Sequence, residues 1–501
     1  MNPSALRSIL VVGGGTSGWM TATLLNRYLP PGSCRITLVE SADIGILGVG
    51  EATVPPMVGF LRAADIDERD FLRACHATFK LGIKFVDWLR PGTQLWHPFG
   101  VIGGSIDRLP LFHHWLRARR EGGEPRPYDA YSLQAVAGEA LRSARPLQGR
   151  SPIADQGAYA YHLDAREFAV FLRGVATRRG VEHVVDNVRG AVLDERGYIA
   201  GIETANHGRL QADLYIDCSG FAGLLIEGAL REPWQSWTDF LYCDRALALP
   251  VDYDPQLAPY TLSTALSAGW VWRIPLSHRV GTGYVYSSRH LSDDDARREF
   301  ARHLGRDPEA IEPRQLRMRV GRRANFWVKN CVAIGLTGGF LEPLESTALF
   351  LVQGGIERLL DLLPDRSFDP ATIAHYNALM GRAYDEVRDF VVLHYLLNQR
   401  TDSEFWRLNR ETPPPESLAR TLALYDAQGT VDWERNTLFG DTSFYAIAAG
   451  FERLPRRHAP RADHSRAGKV LEILAQVRAQ HERHARELPA HADYIRQLNA
   501  A

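Results

Sequence analysis

Three features of this 501-residue chain predict an α/β fold. A short apolar run, Ser8-Ile9-Leu10-Val11-Val12, leads into a glycine turn and then a helical stretch that ends at Tyr28. Two later runs, Ala212 to Gly220 and Cys331 to Leu336, read as buried strands ending in small or polar residues. From Tyr376 onward the apolar spacing becomes helical, the period of an element that buries one face. Strand-bearing pieces occur near the start, around Asp164 to Gly223 and around Phe326 to Leu360. The segments between them must be insertions from which the chain returns to one sheet.

The first turn reads Gly13-Gly14-Gly15-Thr16-Ser17-Gly18. Between a strand and a helix, the first glycine of such a pattern permits the tight turn and the second lets the backbone approach a pyrophosphate. The third allows close helix–strand packing, and the phosphates rest on the helix N-terminus. Gly13, Gly15, Thr16, Ser17 and Gly18 are the expected dinucleotide contacts. A second strand, Arg35 to Val39, ends in Glu40, at the spacing of a carboxylate that bonds the adenosine ribose hydroxyls. A ligand-free structural turn is the alternative, and the strand before the glycines and Glu40 after them weigh against it.

A chain of this length, 45% hydrophobic and 23% charged, can bury a large core and should form two or more modules. Its net charge of -1 offers no field to attract nucleic acid or an anionic membrane. Cys34, Cys75, Cys218, Cys243 and Cys331 are odd in number, scattered and without a CxxC pair. They read as the reduced thiols of a cytoplasmic protein rather than disulfides or a metal site. Ser8 to Leu25 carries no charge, but its glycines and hydroxyls belong to the nucleotide turn, so no spanning or export segment is expected. His113-His114 and the pair His481/His484 lack the carboxylates or cysteines of a metal shell, and Glu482 does not give the HExxH spacing. The expected organisation is a discontinuous cofactor module over residues 1–365, with substrate-module insertions at about 60–150 and 226–320, then a helical region over 366–501. Within that region, Asp385 to Leu397 is apolar at helical spacing, Thr412-Pro413-Pro414-Pro415 is a break, and a charged helix runs from about Ala467 to Glu487.

Two segments carry more specific information. Phe79-Lys80-Leu81-Gly82-Ile83-Lys84-Phe85 lies downstream of the glycine turn, and Trp270-Val271-Trp272-Arg273-Ile274-Pro275 lies much further on. With Gly48-Val49-Gly50-Glu51-Ala52-Thr53-Val54-Pro55, Phe340-Leu341-Glu342-Pro343-Leu344-Glu345-Ser346-Thr347, and Leu393-His394-Tyr395 followed by Phe405-Trp406, the chain resembles the tryptophan halogenase family of flavin enzymes essentially from end to end. The resemblance implies a glutathione-reductase-like FAD-binding Rossmann module, with an inserted and C-terminal, mostly helical substrate module. FAD is preferred to NAD because Ala212 to Gly220 and Cys331 to Leu336 resemble the later FAD-contacting stretches of flavoprotein monooxygenases. Glu51, Val188, Gly335 and Leu336 join the glycine turn and Glu40 as implied cofactor contacts.

The implied reaction uses reduced FAD (FADH2) from a separate NAD(P)H-dependent flavin reductase, together with O2 and chloride or bromide. It yields hypohalous acid, which passes through a tunnel to an electron-rich aromatic. Lys80 carries over as the residue that hydrogen-bonds this oxidant or becomes a haloamine, Glu345 as the partner carboxylate and Ser346 as a relay. A surface lysine on an amphipathic helix is the alternative reading, and for Lys84, four residues on, it stays open. A solvated turn after Gly338-Gly339 competes for Glu342 and Glu345. The backbone amides of Thr347 and Ala348 would bind the halide. Tryptophan-specific members of the family carry glycine at position 348, and alanine would be strained there in a left-handed conformation.

Trp270 and Trp272 carry over as residues that keep organic substrate from the flavin, and His97 with Phe99 as the pair that stacks on an indole. A packed turn suits His97 and Phe99 equally. Phe439-Gly440-Asp441-Thr442-Ser443-Phe444-Tyr445 does not reproduce the grip on a free amino acid, so indole or a substituted indole is the expected substrate rather than tryptophan. A homodimer is compatible with the sequence. Two other classes share the fold: a flavin-dependent aromatic monooxygenase, which would hydroxylate, and a non-catalytic flavoprotein, which would need neither Lys80 nor Glu345.

Overall fold

The strand Ser8–Val12 pairs in parallel with Arg35–Glu40 on one side and Leu214–Asp217 on the other. The sheet extends outward to Glu182–Val185 beyond the first and to Cys331–Ala333 beyond the second, with Trp327–Val328 as an antiparallel edge. Five parallel strands explain the near-continuous runs of Val, Ile and Leu, because such strands are covered on both faces. The helix Thr16–Tyr28 packs against Ala165–Arg178 and Ala348–Asp361. The chain leaves Ser8–Val12 for one half of the sheet and later returns to the other half. The carboxyl end of that strand, where Gly13 follows, is therefore a topological switch point.

This computed structural model describes residues 4–45, 50–123, 125–431, 438–464 and 470–500. The chain divides into two compact units. One takes Met1–Ala77, Leu163–Thr238 and Met318–Asp385, and contains the parallel sheet. The other takes Thr78–His162, Asp239–Arg317 and Glu386–Ala501. The expected insertions were about 60–150 and 226–320. The first crossing falls at Ala77/Thr78 because the helices Pro56–Ala63 and Glu68–Ala74 stay with the first unit, where Phe60 and Phe71 set their edges on Phe168. The last crossing falls inside the 27-residue helix Pro370–Leu396.

The second unit is built on a seven-stranded sheet in the order Arg314–Arg317, Arg245–Val251, Val280–Tyr286, Gly269–Pro275, Thr261–Ala265, Gly82–Val86, Gln94–Pro98. All neighbours are antiparallel except Thr261–Ala265 with Gly82–Val86. Its aromatic core gathers Trp88, Trp270, His394, Tyr395, Phe405 and Trp406, with Trp88 at 5.2 Å from Trp406 and 5.3 Å from Tyr395 between ring centroids. The Leu393-His394-Tyr395 and Phe405-Trp406 motifs are thus packing motifs of this core. The Thr412–Pro415 break separates the helices Glu404–Glu411 and Glu416–Gln428. The charged helix is Val470–Glu487, preceded by the undescribed 465–469 and followed by a last helix, His491–Ala500. All five cysteines are free. Among the described residues no helix is long and apolar enough to cross a membrane.

Candidate active site

In the first unit the glycine turn is a backbone device. Gly13 adopts φ +116°, and a Cβ placed on it would lie 2.3 Å from the carbonyl oxygen of Cys218. A Cβ on Gly18 would meet the Gly13 carbonyl oxygen at 1.9 Å, so helix and strand approach each other as only glycine permits. At Gly15, by contrast, nothing among the described residues lies within 4 Å of that Cβ position. This open space borders the first amides of the helix Thr16–Tyr28, which have no intrahelical acceptor and can receive a phosphate. Thr16 donates its hydroxyl to Ala165 O at 3.3 Å. Gly335, at φ +79°, holds its Cα hydrogen against Ser17, whose Oγ would be 2.3 Å from a Cβ there. Leu336 follows, half-buried, between the buried Gly335 and Thr337 of the turn Gly335–Thr337, and Thr337 ties that turn to Gly220 O at 2.9 Å.

The Glu40 carboxylate accepts from His183 Nε2 at 2.7 Å and lies 3.6 Å from Arg173 Nη1. Sequence reasoning missed both of these partners, which come from a strand and a helix more than a hundred residues downstream. The side chain of Val188 packs on the cluster of Leu10, Val39, Ile202 and Tyr215, leaving only its backbone for a ligand. Asp217, at the end of the Ala212–Gly220 run, spends its carboxylate on the amides of Ser219, Leu225 and Ile226. Glu51 is half-buried in the strand Gly50–Ala52, whereas Gly48 and Val49 of that motif lie outside the described residues.

In the Phe340–Thr347 segment the backbone is the unusual feature. Glu345 (φ 65°) and Ser346 (φ 59°) are consecutive left-handed residues immediately before the helix Ala348–Asp361. Neither is glycine, so the pair stores strain on the order of 1–3 kcal/mol each. Glu342 and Glu345 are both buried, at 2% and 1% exposure, so neither solvates a turn. The strain expected at Ala348 does not arise. Ala348 begins a right-handed helix, and the left-handed turn falls on Glu345 and Ser346 instead. Thr347 caps this helix, and the amides of its first turn are unclaimed by the helix itself.

In the second unit Lys80 closes the short strand Thr78–Lys80 and is 0% exposed. Its Nζ stands 5.1 Å from the centre of the Phe99 ring. Lys84 is on a separate strand, Gly82–Val86, and pairs with Glu139 at 2.7 Å. The amphipathic-helix reading therefore fails for both lysines, because the chain is extended on either side of Leu81. Burial first, and then the Lys80 charge, push His162 well below the usual imidazole range. His97, in the strand Gln94–Pro98, sets its ring 5.4 Å from Phe390 and 6.0 Å from Phe439, and these two stack at 3.9 Å. His97 and Phe99 are thus both packed, Phe99 beside the ammonium and His97 against Phe390 and Phe439, an arrangement that a packed turn and a ligand-stacking pair share.

Trp270 and Trp272 project from the same side of the strand Gly269–Pro275, with their rings 6.4 Å apart. Trp272 lies across Gly283 on the neighbouring strand, where a Cβ would come within 2.2 Å of the indole. The Phe439–Tyr445 stretch enters the helix Asp441–Gly450. Tyr445 stacks on Phe112 at 4.2 Å and 4° and donates to Gly429 O at 2.8 Å, so its hydroxyl is committed to the core. Burial raises the Asp441 carboxyl.

A parallel sheet carrying a glycine turn, and in the same chain a mainly antiparallel sheet beside the short strand of a buried lysine facing an aromatic ring, define the class of protein as α/β. The tryptophan halogenase family model matches residues 8–467, and the chain belongs to that family. It is 36% identical over 525 residues to tryptophan 7-halogenase RebH of Lentzea aerocolonigenes, covering 98% of each chain. Among solved structures it superposes on BrvH, a flavin-dependent halogenase from Brevundimonas sp. BAL3, with a TM-score of 0.91 at 41% identity, covering 99% of this chain and 100% of that one. Xcc4156, a flavin-dependent halogenase from Xanthomonas campestris, gives 0.93 at 38%, covering 98% of each.

Proposed function

We propose that this protein is a FADH2-dependent halogenase that uses O2 and chloride or bromide to halogenate an indole or another electron-rich aromatic, supplied with reduced flavin by a separate reductase. Family membership supports the reaction class. The single observation that carries the chemistry is the wholly buried Lys80 ammonium beside the face of Phe99.

The residues of the first unit fit FAD. Gly13, Gly18 and Gly335 occupy positions a Cβ would block, while the open space at Gly15 admits a phosphate to the amides beside Thr16 and Ser17. Glu40, steadied by His183 and Arg173, would take the adenosine ribose, and Glu51, Val188 and Leu336 would line the remainder. Reduced FAD, when bound, supplies the two electrons by which O2, a halide ion and a proton become water and hypohalous acid. The Thr347 and Ala348 amides, at the positive end of a helix, would hold the halide.

In halogen transfer the Lys80 ammonium donates a hydrogen bond to the oxygen of hypohalous acid and draws electron density from the halogen. The ring carbon attacks the halogen and the oxygen–halogen bond breaks. The hydroxyl leaves as water with a proton from the ammonium, and Glu345 accepts the proton lost by the ring, with Ser346 beside it as a relay. Trp270 and Trp272 wall off the organic substrate from the flavin, and His97 and Phe99 hold the aromatic ring. With Tyr445 committed to Phe112 and Gly429, the amino-acid end of tryptophan loses one point of attachment, which favours indole.

The test is mass spectrometry of an indole and tryptophan panel incubated with the protein, FAD, NADH and a generic flavin reductase, in chloride and separately in bromide, with catalase present. Halogenated product, greater from indole than from tryptophan, is expected. Hydroxylated product regardless of halide would move the chain to the aromatic monooxygenases. Tryptophan turned over much faster than indole would defeat the substrate assignment.

A further inference from the structure

The Lys80 strand is held by two buried histidines that the reaction above does not use. Thr78–Lys80 is an edge strand. On one side it pairs with its antiparallel neighbour, Thr78 opposite His162 and Lys80 opposite Ala160. On the other side no strand among the described residues pairs with it. There the Phe79 amide donates to His491 Nε2 at 3.1 Å and the Leu81 amide to Pro259 O at 2.8 Å. An imidazole from the last helix thus fills one position of a missing strand.

The protons on both rings follow from counting donors. His491 Nε2 accepts from an amide, so its proton is on Nδ1, which donates to Leu257 O at 2.7 Å. Thr78 gives its hydroxyl proton to Pro275 O at 2.7 Å, so at 3.3 Å it can only accept from His162 Nδ1. His162 Nε2 then accepts from Thr261 Oγ1 at 2.9 Å. Each ring carries a proton on Nδ1, and a second proton on His491 Nε2 would break the bond from the Phe79 amide, whereas at His162 it is burial that holds the ring neutral. Burial favours the same state, lowering His491 to about 4.

We infer that His491 and His162 form a neutral clamp that positions Lys80, fixing its strand from the outer edge and from the paired neighbour without adding a second charge beside the ammonium. Glutamine can replace both bonds of His491, its oxygen accepting from Phe79 and its amide donating to Leu257. Phenylalanine keeps the packing on Phe79, whose ring lies 6.0 Å away, but neither bond. The inference rests on the role proposed for Lys80.

The experiment measures partition between hypohalous acid caught by a soluble trap and halogenated indole. In His491→Phe the fraction reaching indole should fall about 10-fold, since small misplacements of a reacting group cost that much or more. FAD affinity should be unchanged, and His491→Gln should restore partition to within about twofold. Wild-type partition in His491→Phe, or equal impairment of both variants at unchanged thermal stability, would overturn the clamp. Nitrogen-15 NMR of the wild-type imidazoles supplies a reading without turnover: the Nδ1–H tautomer is expected, and Nε2–H at His491 would refute the assignment. If the wild-type protein halogenates nothing, the function proposed above fails instead.

Discussion

In the first unit the candidate anion-binding positions are backbone, the glycine turn and the opening amides of the helix Ala348–Asp361, and the candidate acid–base group is the buried carboxylate of Glu345. In the second the candidate positions are side chains, a buried ammonium and aromatic rings, with two histidines hydrogen-bonded beside the Lys80 strand. Phosphate and halide are anions that N–H dipoles can hold without side-chain specificity. A neutral aromatic and a small oxidant need shaped walls and one placed charge. The backbone sites of the first unit tolerate changes of residue but not an added Cβ in the wrong place. The second fails through single side chains.

The largest expected effect belongs to the second unit. Lys80→Ala should reduce halogenated product on the order of 10²–10⁴-fold, the span of a placed acid–base group, while FAD affinity by fluorescence titration stays unchanged. Halogenation persisting with normal flavin binding would remove Lys80 from the chemistry. In the first unit, Glu345→Gln should bring a loss of about 10²-fold or more with intact folding, and near-normal turnover would refute its role.

Next come two glycines in the first unit. Gly13→Ala combines a left-handed φ with a backbone clash and should destabilise the fold by ~3 kcal/mol. Gly15→Ala meets nothing and should alter stability by less than about 0.5 kcal/mol, yet weaken FAD binding about 10-fold or more by filling the phosphate approach. Equal effects of the two substitutions in chemical denaturation would erase the distinction between a turn glycine and a ligand glycine.

Acid should act on the second unit through its neutral histidines. Burial lowers His491 to about 4 from an ordinary 6.5, and burial, then His114 and His458, lower His113 to about 4. Between these values the unfolded chain binds protons the fold refuses. Stability should be full above about pH 6.5 and fall as pH drops toward about 4, by ~3 kcal/mol for His491. Urea midpoints that do not decline over that window, or the same decline in His491→Phe, would contradict this account. The smallest effect sharpens the strain argument. Ser346→Gly should stabilise by about 1 kcal/mol through release of its left-handed conformation, read as a rise in melting temperature.

What could be read from the sequence follows from this contrast. Gly13 to Gly18 and Glu40 were legible because a nucleotide turn constrains neighbours in the chain. Lys80 was legible only through its motif, and its secondary structure was ambiguous: a lysine pair four apart suits a helix face, yet an extended chain on both sides of Leu81 places the two on separate strands. The left-handed conformation of Glu345 and Ser346 had no signal, since neither residue favours it. His491 contacts Phe79 across 412 positions, and no local pattern reports such a bond. Glu40's partners, Arg173 and His183, were hidden for the same reason.

The central claim is that Lys80 directs the oxidant into the aromatic ring and is not needed to make it. The most direct measurement follows wild type and Lys80→Met side by side, with NADH and reductase, bromide, indole and a hypohalous-acid trap, quantifying bromoindole and brominated trap together. The account predicts that bromoindole disappears in the variant while brominated trap persists or rises. Bromoindole undiminished, or loss of both products with FAD still bound, would contradict it.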